Sequence, residues 1–115
     1  MQHDKLIILK PEFIDPDLGG RHFYCQHCII IEGLLAAFPD IAMRLDVERI
    51  EFAKPRLPLV ELIGADNQWL PVLIFADDAS TDLATGQYGA VKFANELGAL
   101  LHALHVRHGF PEPHP

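Results

Sequence analysis

The chain has 115 residues, a formal net charge of −7 and 50% hydrophobic residues. That length and composition suit one compact domain with a core of its own and exclude an intrinsically disordered chain. The acidic balance argues against a nucleic-acid groove or an anionic membrane surface as partner.

The opening residues, Met1-Gln2-His3-Asp4-Lys5, lack the basic region, apolar run and small-residue cleavage site of a signal peptide. No apolar stretch is long enough to span a bilayer, so a cytoplasmic location is expected. Leu6-Ile7-Ile8-Leu9 reads as a short buried strand closed by Lys10-Pro11. Residues 12–22 hold Pro16, Gly19 and Gly20 and form a long loop, either functional or locally structured. Asp15-Pro16-Asp17 is most simply part of that loop. An apolar helix then runs from Ile29 to Phe38, with Cys28, Ile31, Leu35 and Phe38 at helical spacing, and Pro39-Asp40 ends it. Val47 to Phe52 alternates as a second strand.

Lys54-Pro55-Arg56-Leu57-Pro58 breaks the chain before a short helix through Leu62, with Gly64 as its stop. Pro71 to Phe75 is a third strand, entered through Trp69-Leu70. Residues 77–89 are rich in turn formers, the pair Asp77-Asp78 starts a turn, and Ala90 to Phe93 forms a fourth strand. The last helix has Asn95 as N-cap, Leu97, Leu100, Leu101 and Leu104 as its buried stripe, and Gly109 as C-cap glycine. His102, His105 and His108 recur along it and read as favourable charge at a helix C-terminus rather than as a metal site. Residues 1–110 thus form a single domain, and 111–115 an extended tail. The order is β-α-β-α-β-β-α, predicting an α/β fold with a four-stranded mixed sheet and helices on both faces. Each β-α-β unit implies parallel strands, and the last two strands an antiparallel pair.

Cys25 and Cys28 are the only cysteines, spaced C-x-x-C as Cys25-Gln26-His27-Cys28. That spacing serves dithiol–disulfide exchange or half of a zinc site. No second cysteine pair completes a tetrahedral zinc set. A strand ahead and a helix behind place Cys25 at a helix N-terminus, where free backbone N–H groups stabilise a thiolate. This site falls at the carboxyl edge of the parallel strands, where open α/β sheets hold their ligands.

The strand, the C-x-x-C opening a helix and the later proline together resemble the thioredoxin-like superfamily, whose fold has three layers. The resemblance implies a cis-proline facing the first cysteine, and Leu70-Pro71-Val72 occupies that place. It further implies that Leu70 pairs through its backbone with a bound peptide or glutathione. The C-terminal half resembles glutaredoxins and the N-terminal domain of glutathione transferases, which implies that Asn95 and Glu96 hold the γ-glutamyl end of glutathione. Phe23 to Cys28 and Arg107 to Pro111 resemble a family of short bacterial thioredoxin-like proteins of unknown function, with F-Y-C-x-H-C near the start and R-H-G-F-P near the end. His27 ahead of Cys28 resembles the C-P-H-C of strongly oxidising thiol oxidases, with Gln26 in place of proline.

The expected activity is that of a thiol–disulfide oxidoreductase acting on a protein or a low-molecular-weight thiol or disulfide. No bound cofactor is expected, glutathione being a candidate co-substrate. Cys25 attacks a disulfide, Cys28 resolves the mixed disulfide, His27 stabilises the thiolate, and Pro71 shapes the pocket. Tyr24, Trp69, Leu70, Val72, Asn95 and Glu96 are the substrate-binding candidates. Trp69 reads as half-buried core or else a wall of the groove, and apolar surface around Phe13, Phe23 and Tyr24 as a partner contact. Two alternatives stand: a glutathione- or peptide-binding module without turnover, and a zinc-stabilised domain using Cys25, Cys28 and His22 or His27.

Overall fold

A computed structural model describes residues 3–77 and 82–115. Met1, Gln2 and Asp78 of the expected Asp77-Asp78 turn lie outside the described residues. The chain forms β1 (Lys5–Leu9), β2 (Phe13–Ile14), β3 (His22–Phe23), α1 (Cys28–Ala37), α2 (Pro39–Ala42) and β4 (Asp46–Ile50). It continues with α3 (Leu57–Ile63), β5 (Val72–Ile74), β6 (Gly86–Tyr88), β7 (Val91–Ala94) and α4 (Leu97–His108).

The mixed sheet has five strands in the order β4-β1-β5-β7-β6. β1 runs parallel to β4 and antiparallel to β5, and β5 and β6 each run antiparallel to β7. Leu6, Ile7 and Ile8 of β1 are completely buried. Successive strand side chains point to opposite faces, so burial of all three means that both faces are covered. α1 packs on β1, and α4 packs on β7. Cys28, Ile31 and Leu35 form the buried stripe of α1, and Leu100, Ala103 and Leu104 that of α4.

Several expectations need correction. The sheet has five strands rather than four, because Gly86–Tyr88 in the turn-rich segment pairs with β7 as an edge strand. The second β-α-β unit does not give parallel strands. α3 has only seven residues, about 10 Å of rise, too little to carry the chain back along the sheet, so β5 runs opposite to β4 and β1. The loop at 12–22 is locally structured, with β2 and β3 as an antiparallel hairpin around a 3-10 turn at Pro16–Leu18. Pro39 does end α1, and it also opens α2.

Asn95 is not the N-cap of α4. That position is Glu96, which makes no side-chain cap bond. Asn95 is instead tied to Thr85, just ahead of β6: its backbone N–H donates to Thr85 Oγ1 at 2.9 Å, and its Oδ1 accepts from the same hydroxyl at 3.1 Å. Gly109 does cap the helix in the left-handed conformation, with φ of 83°.

The C-terminal turn of α4 closes the molecule onto its first strand. Buried Asp4 accepts Arg107 Nε at 2.6 Å and Nη2 at 2.7 Å, His108 Nε2 at 2.8 Å and the Ala76 backbone N–H at 2.7 Å. Burial acts to raise the Asp4 pKa. The His108 and Arg107 hydrogen bonds, the Ala76 N–H and the guanidinium charge outweigh it and hold the carboxyl well below the usual carboxylate range. His105 donates from Nδ1 to the Phe110 carbonyl at 2.8 Å.

Candidate dithiol site

The C-x-x-C segment is placed by β1 on one side and α1 on the other. A tight turn at Gln26-His27 leads into α1, which begins at Cys28. The Ile29 backbone N–H donates to the Cys25 carbonyl at 3.0 Å, and the Cys28 backbone N–H donates to Cys25 Sγ at 3.2 Å. The sulfur therefore occupies the place of a capping side chain and satisfies an N–H that the helix leaves free. His27 is the N-cap residue by position and makes no side-chain cap bond.

The cysteines differ in environment. Both are free thiols; Cys25 is half-buried and Cys28 only 2% exposed. Burial pushes the Cys28 thiol up to about 12, and its hydrogen bond to Cys25 acts in the same direction. A hydrogen bond from the Leu9 backbone acts the other way. Cys28 is thus a buried, protonated thiol, and Cys25 is the one that solvent reaches.

Cys25 lines a cavity of about 360 Å³ with Leu9, Phe13, Gln26, His27, Phe52, Arg56, Trp69 and Leu70. Most of these walls are apolar. Phe13 of the β2–β3 hairpin stacks on Phe52 with ring centroids 4.4 Å apart and planes within 5°. Trp69 is 60% exposed, so it stands in the wall rather than in the core. The Leu70–Pro71 peptide bond is cis, as the resemblance led one to expect, and so is Lys54–Pro55.

The one cationic side chain with permanent charge in this wall is Arg56, which is only 8% exposed. Its Nε donates to the Phe52 carbonyl at 2.9 Å and its Nη1 to the Gln68 carbonyl at 2.6 Å. Its backbone N–H donates to Gln68 Oε1 at 2.8 Å, and its guanidinium carbon lies 5.3 Å from the Phe52 ring centre. Burial pulls its pKa down, whereas negative charge on Cys25 and Cys28 acts to raise it.

Of the residues singled out from sequence, the structure brings Cys25, His27, Trp69 and Leu70 to one cavity and sets Cys28 directly behind Cys25 by hydrogen bond. Pro71 is buried and does not line the cavity. Val72 is fully buried in register with Ile7, so its side chain serves the core. Tyr24 is 61% exposed and lies outside the cavity lining, as do Asn95 and Glu96. The sequence reading missed Leu9, Phe52 and Arg56. The only signal for Arg56 was a lone cation between two prolines ahead of a helix. Among the described residues, no group of three or more His, Cys, Asp or Glu side chains converges as a metal site. His22 instead pairs with Glu12 at 2.9 Å.

Fold and site together define a small α/β protein with a paired-thiol cavity at the edge of a mixed sheet. Residues 3–112 match the family described as "Protein of unknown function (DUF3088)", and the chain belongs to that family. No curated protein and no solved structure matches it. Among the described residues, no helix is long and apolar enough to cross a membrane.

Proposed function

We propose that the protein is a thiol–disulfide oxidoreductase with a thioredoxin-like fold, acting through Cys25 and Cys28 on a protein or low-molecular-weight disulfide. The observation that carries this reading is the 3.2 Å hydrogen bond from the Cys28 N–H to Cys25 Sγ at the wall of an open cavity. The bond fixes that sulfur at the helix start, on the cavity side, as the atom that would attack. The strand order β4-β1-β5-β7, with β1 and β4 parallel and the other pairs antiparallel, supports the thioredoxin-like reading, and β6 is then an added edge strand. A cytoplasmic setting, where thiols are kept reduced, suits a resting dithiol.

In the forward direction the Cys25 thiolate attacks one sulfur of the substrate disulfide. A Cys25–substrate disulfide forms, and the other substrate sulfur leaves as a thiolate. Cys28 then attacks Cys25 Sγ, giving up its proton to the departed substrate thiolate and expelling the second one. The substrate has gained two electrons, and the protein carries a Cys25–Cys28 disulfide. An external thiol, glutathione being one candidate, returns it to the dithiol. The high pKa of Cys28 keeps it out of the first step, leaving attack to Cys25.

Equilibration in a series of glutathione redox buffers tests this, with the dithiol fraction read by alkylation and mass. A reversible transition between roughly −120 and −270 mV is expected. Absence of a Cys25–Cys28 disulfide at every poise would remove the enzyme reading and leave a binding module.

A further inference from the structure

We propose that Arg56 anchors a carboxylate of the ligand, so that the substrate of the Cys25 cavity is a small sulfur compound joining an apolar body to an acidic group. The inference rests on Cys25 being the reacting thiol. A guanidinium offers five N–H donors. Only Nε and Nη1 are engaged, each with one backbone carbonyl, leaving Nη2 without a hydrogen-bond partner among the described residues. Among those residues no fully buried side-chain nitrogen or oxygen lacks a partner. Nη2 is therefore not sealed in protein, and Arg56 itself is a wall residue of the cavity. Arg56 also borders a second cavity, walled by Ile50, Glu51 and Pro55 among others; the ring contact with Phe52 and the charge interaction with both cysteines tie its guanidinium to the Cys25 cavity.

A buried cation with a free donor edge in an apolar cavity selects for an anion. Removal of a charge from water is costly unless a partner of opposite charge meets it. The planar fork of arginine suits a carboxylate, and such charge-assisted bonds are about twice as strong as neutral ones. The remaining walls, Leu9, Phe13, Phe52, Trp69 and Leu70, take an apolar or aromatic body. A cavity of about 360 Å³ holds a small molecule and not a folded partner. The sulfur of such a ligand would meet Cys25, with the electron balance already given.

The test compares two aromatic disulfides, dithiobis(nitrobenzoate) and its uncharged diamide. Each reaction rate with the reduced protein is divided by the rate of the same probe with free mercaptoethanol, which removes intrinsic electrophilicity. The expected result is a normalised preference of about tenfold for the carboxylate probe, the size of one good charged hydrogen bond. Arg56→Gln should collapse that ratio toward unity, whatever the absolute rates. No preference in the native protein, or slowing of both probes by the same factor in Arg56→Gln, would overturn the anchor and leave the redox reading intact. If Cys25 reacts with neither probe, the redox reading falls, and the anchor is judged without it. NMR titration of Cys25→Ser with nitrobenzoate should then move the Arg56 Nε–H and Trp69 indole signals to saturation. Unmoved signals would overturn the anchor too. The titration also serves if Arg56→Gln fails to fold, since the arginine there is intact.

Discussion

At the residue scale the two cysteines are unequal before any substrate arrives. Cys28 is buried, with its thiol pushed up to about 12, whereas Cys25 faces the cavity. Iodoacetamide at neutral pH should therefore label Cys25 and spare Cys28, and peptide mapping after partial reaction checks it; equal labelling would sink the division of roles. Cys25→Ser should abolish disulfide reduction, and Cys28→Ser should accumulate a covalent adduct with the substrate thiol, visible by mass. Full turnover by Cys25→Ser would falsify the mechanism. Asp4 gives a second prediction, for stability. Its folded pKa lies below its ordinary value of 3.8, so the folded state holds the ionised form more tightly than the unfolded chain does. The stabilisation is complete above that ordinary value and is lost as pH falls through it toward the folded value. Asp4→Ala leaves Arg107, His108 and the Ala76 N–H without this carboxylate. It should cost about 3 kcal/mol near neutral pH and flatten the acid limb of the stability profile. Urea unfolding across the acid range measures both effects, and an unchanged limb would show that Asp4 does not couple to folding.

At the element scale α1, α3 and α4 were legible, the four-residue α2 was not, and the sheet was only partly so. α1 and α4 carry apolar residues at helical spacing and end at Pro39 and Gly109, signals that act within a few residues. Strand direction has no such local signature, which is why the antiparallel entry of β5 escaped. β6 escaped because Gly86-Gln87-Tyr88 is a short, mostly exposed edge strand with no apolar alternation. Arg56 and Phe52 entered the site through partners distant in sequence, Gln68 and Phe13 among them, so spacing could not reveal them. The cysteine pair and Leu70 were legible because a motif and a resemblance named them. The β6–β7 hairpin is nevertheless firmly seated. Gly64 ends α3 at φ 88° and ψ 161°, a region open essentially to glycine alone, and a Cβ there would lie 2.6 Å from the Tyr88 ring. At Gly86 a Cβ would meet the Phe93 ring at 2.5 Å. Gly64→Ala should cost about 2–3 kcal/mol through backbone strain and overpacking combined. Gly86→Ala should cost about 1–3 kcal/mol through overpacking alone. Urea unfolding of both variants checks this, and a loss near zero at Gly64 would show that the α3–β6 contact yields.

At the scale of the whole molecule, redox state and folding stability are one equilibrium seen from two sides. In the reduced protein Cys25 Sγ accepts the Cys28 N–H, and Cys28 sits protonated in the core. The unfolded chain offers neither contact, so folding stabilises the dithiol through them. Closing the disulfide leaves that N–H with a weaker acceptor. By a thermodynamic cycle, the amount by which folding stabilises the reduced form more than the oxidised form raises the redox potential above that of the same pair in the denatured chain, and 30 mV corresponds to about 1.4 kcal/mol. The loss of one such hydrogen bond is worth about 0.5–1.5 kcal/mol. The reduced protein should therefore be the more stable form by about that amount. It should melt several degrees above the oxidised protein, since about 1 kcal/mol moves Tm by roughly 4 °C in a domain of this size. Urea unfolding of both forms and the glutathione titration then measure the same difference independently. Agreement within error would locate the redox bias in the fold. A more stable oxidised form would lower the potential below that of the denatured pair, strengthen the protein as a reductant, and show that the Cys25 hydrogen bond does not set the redox bias.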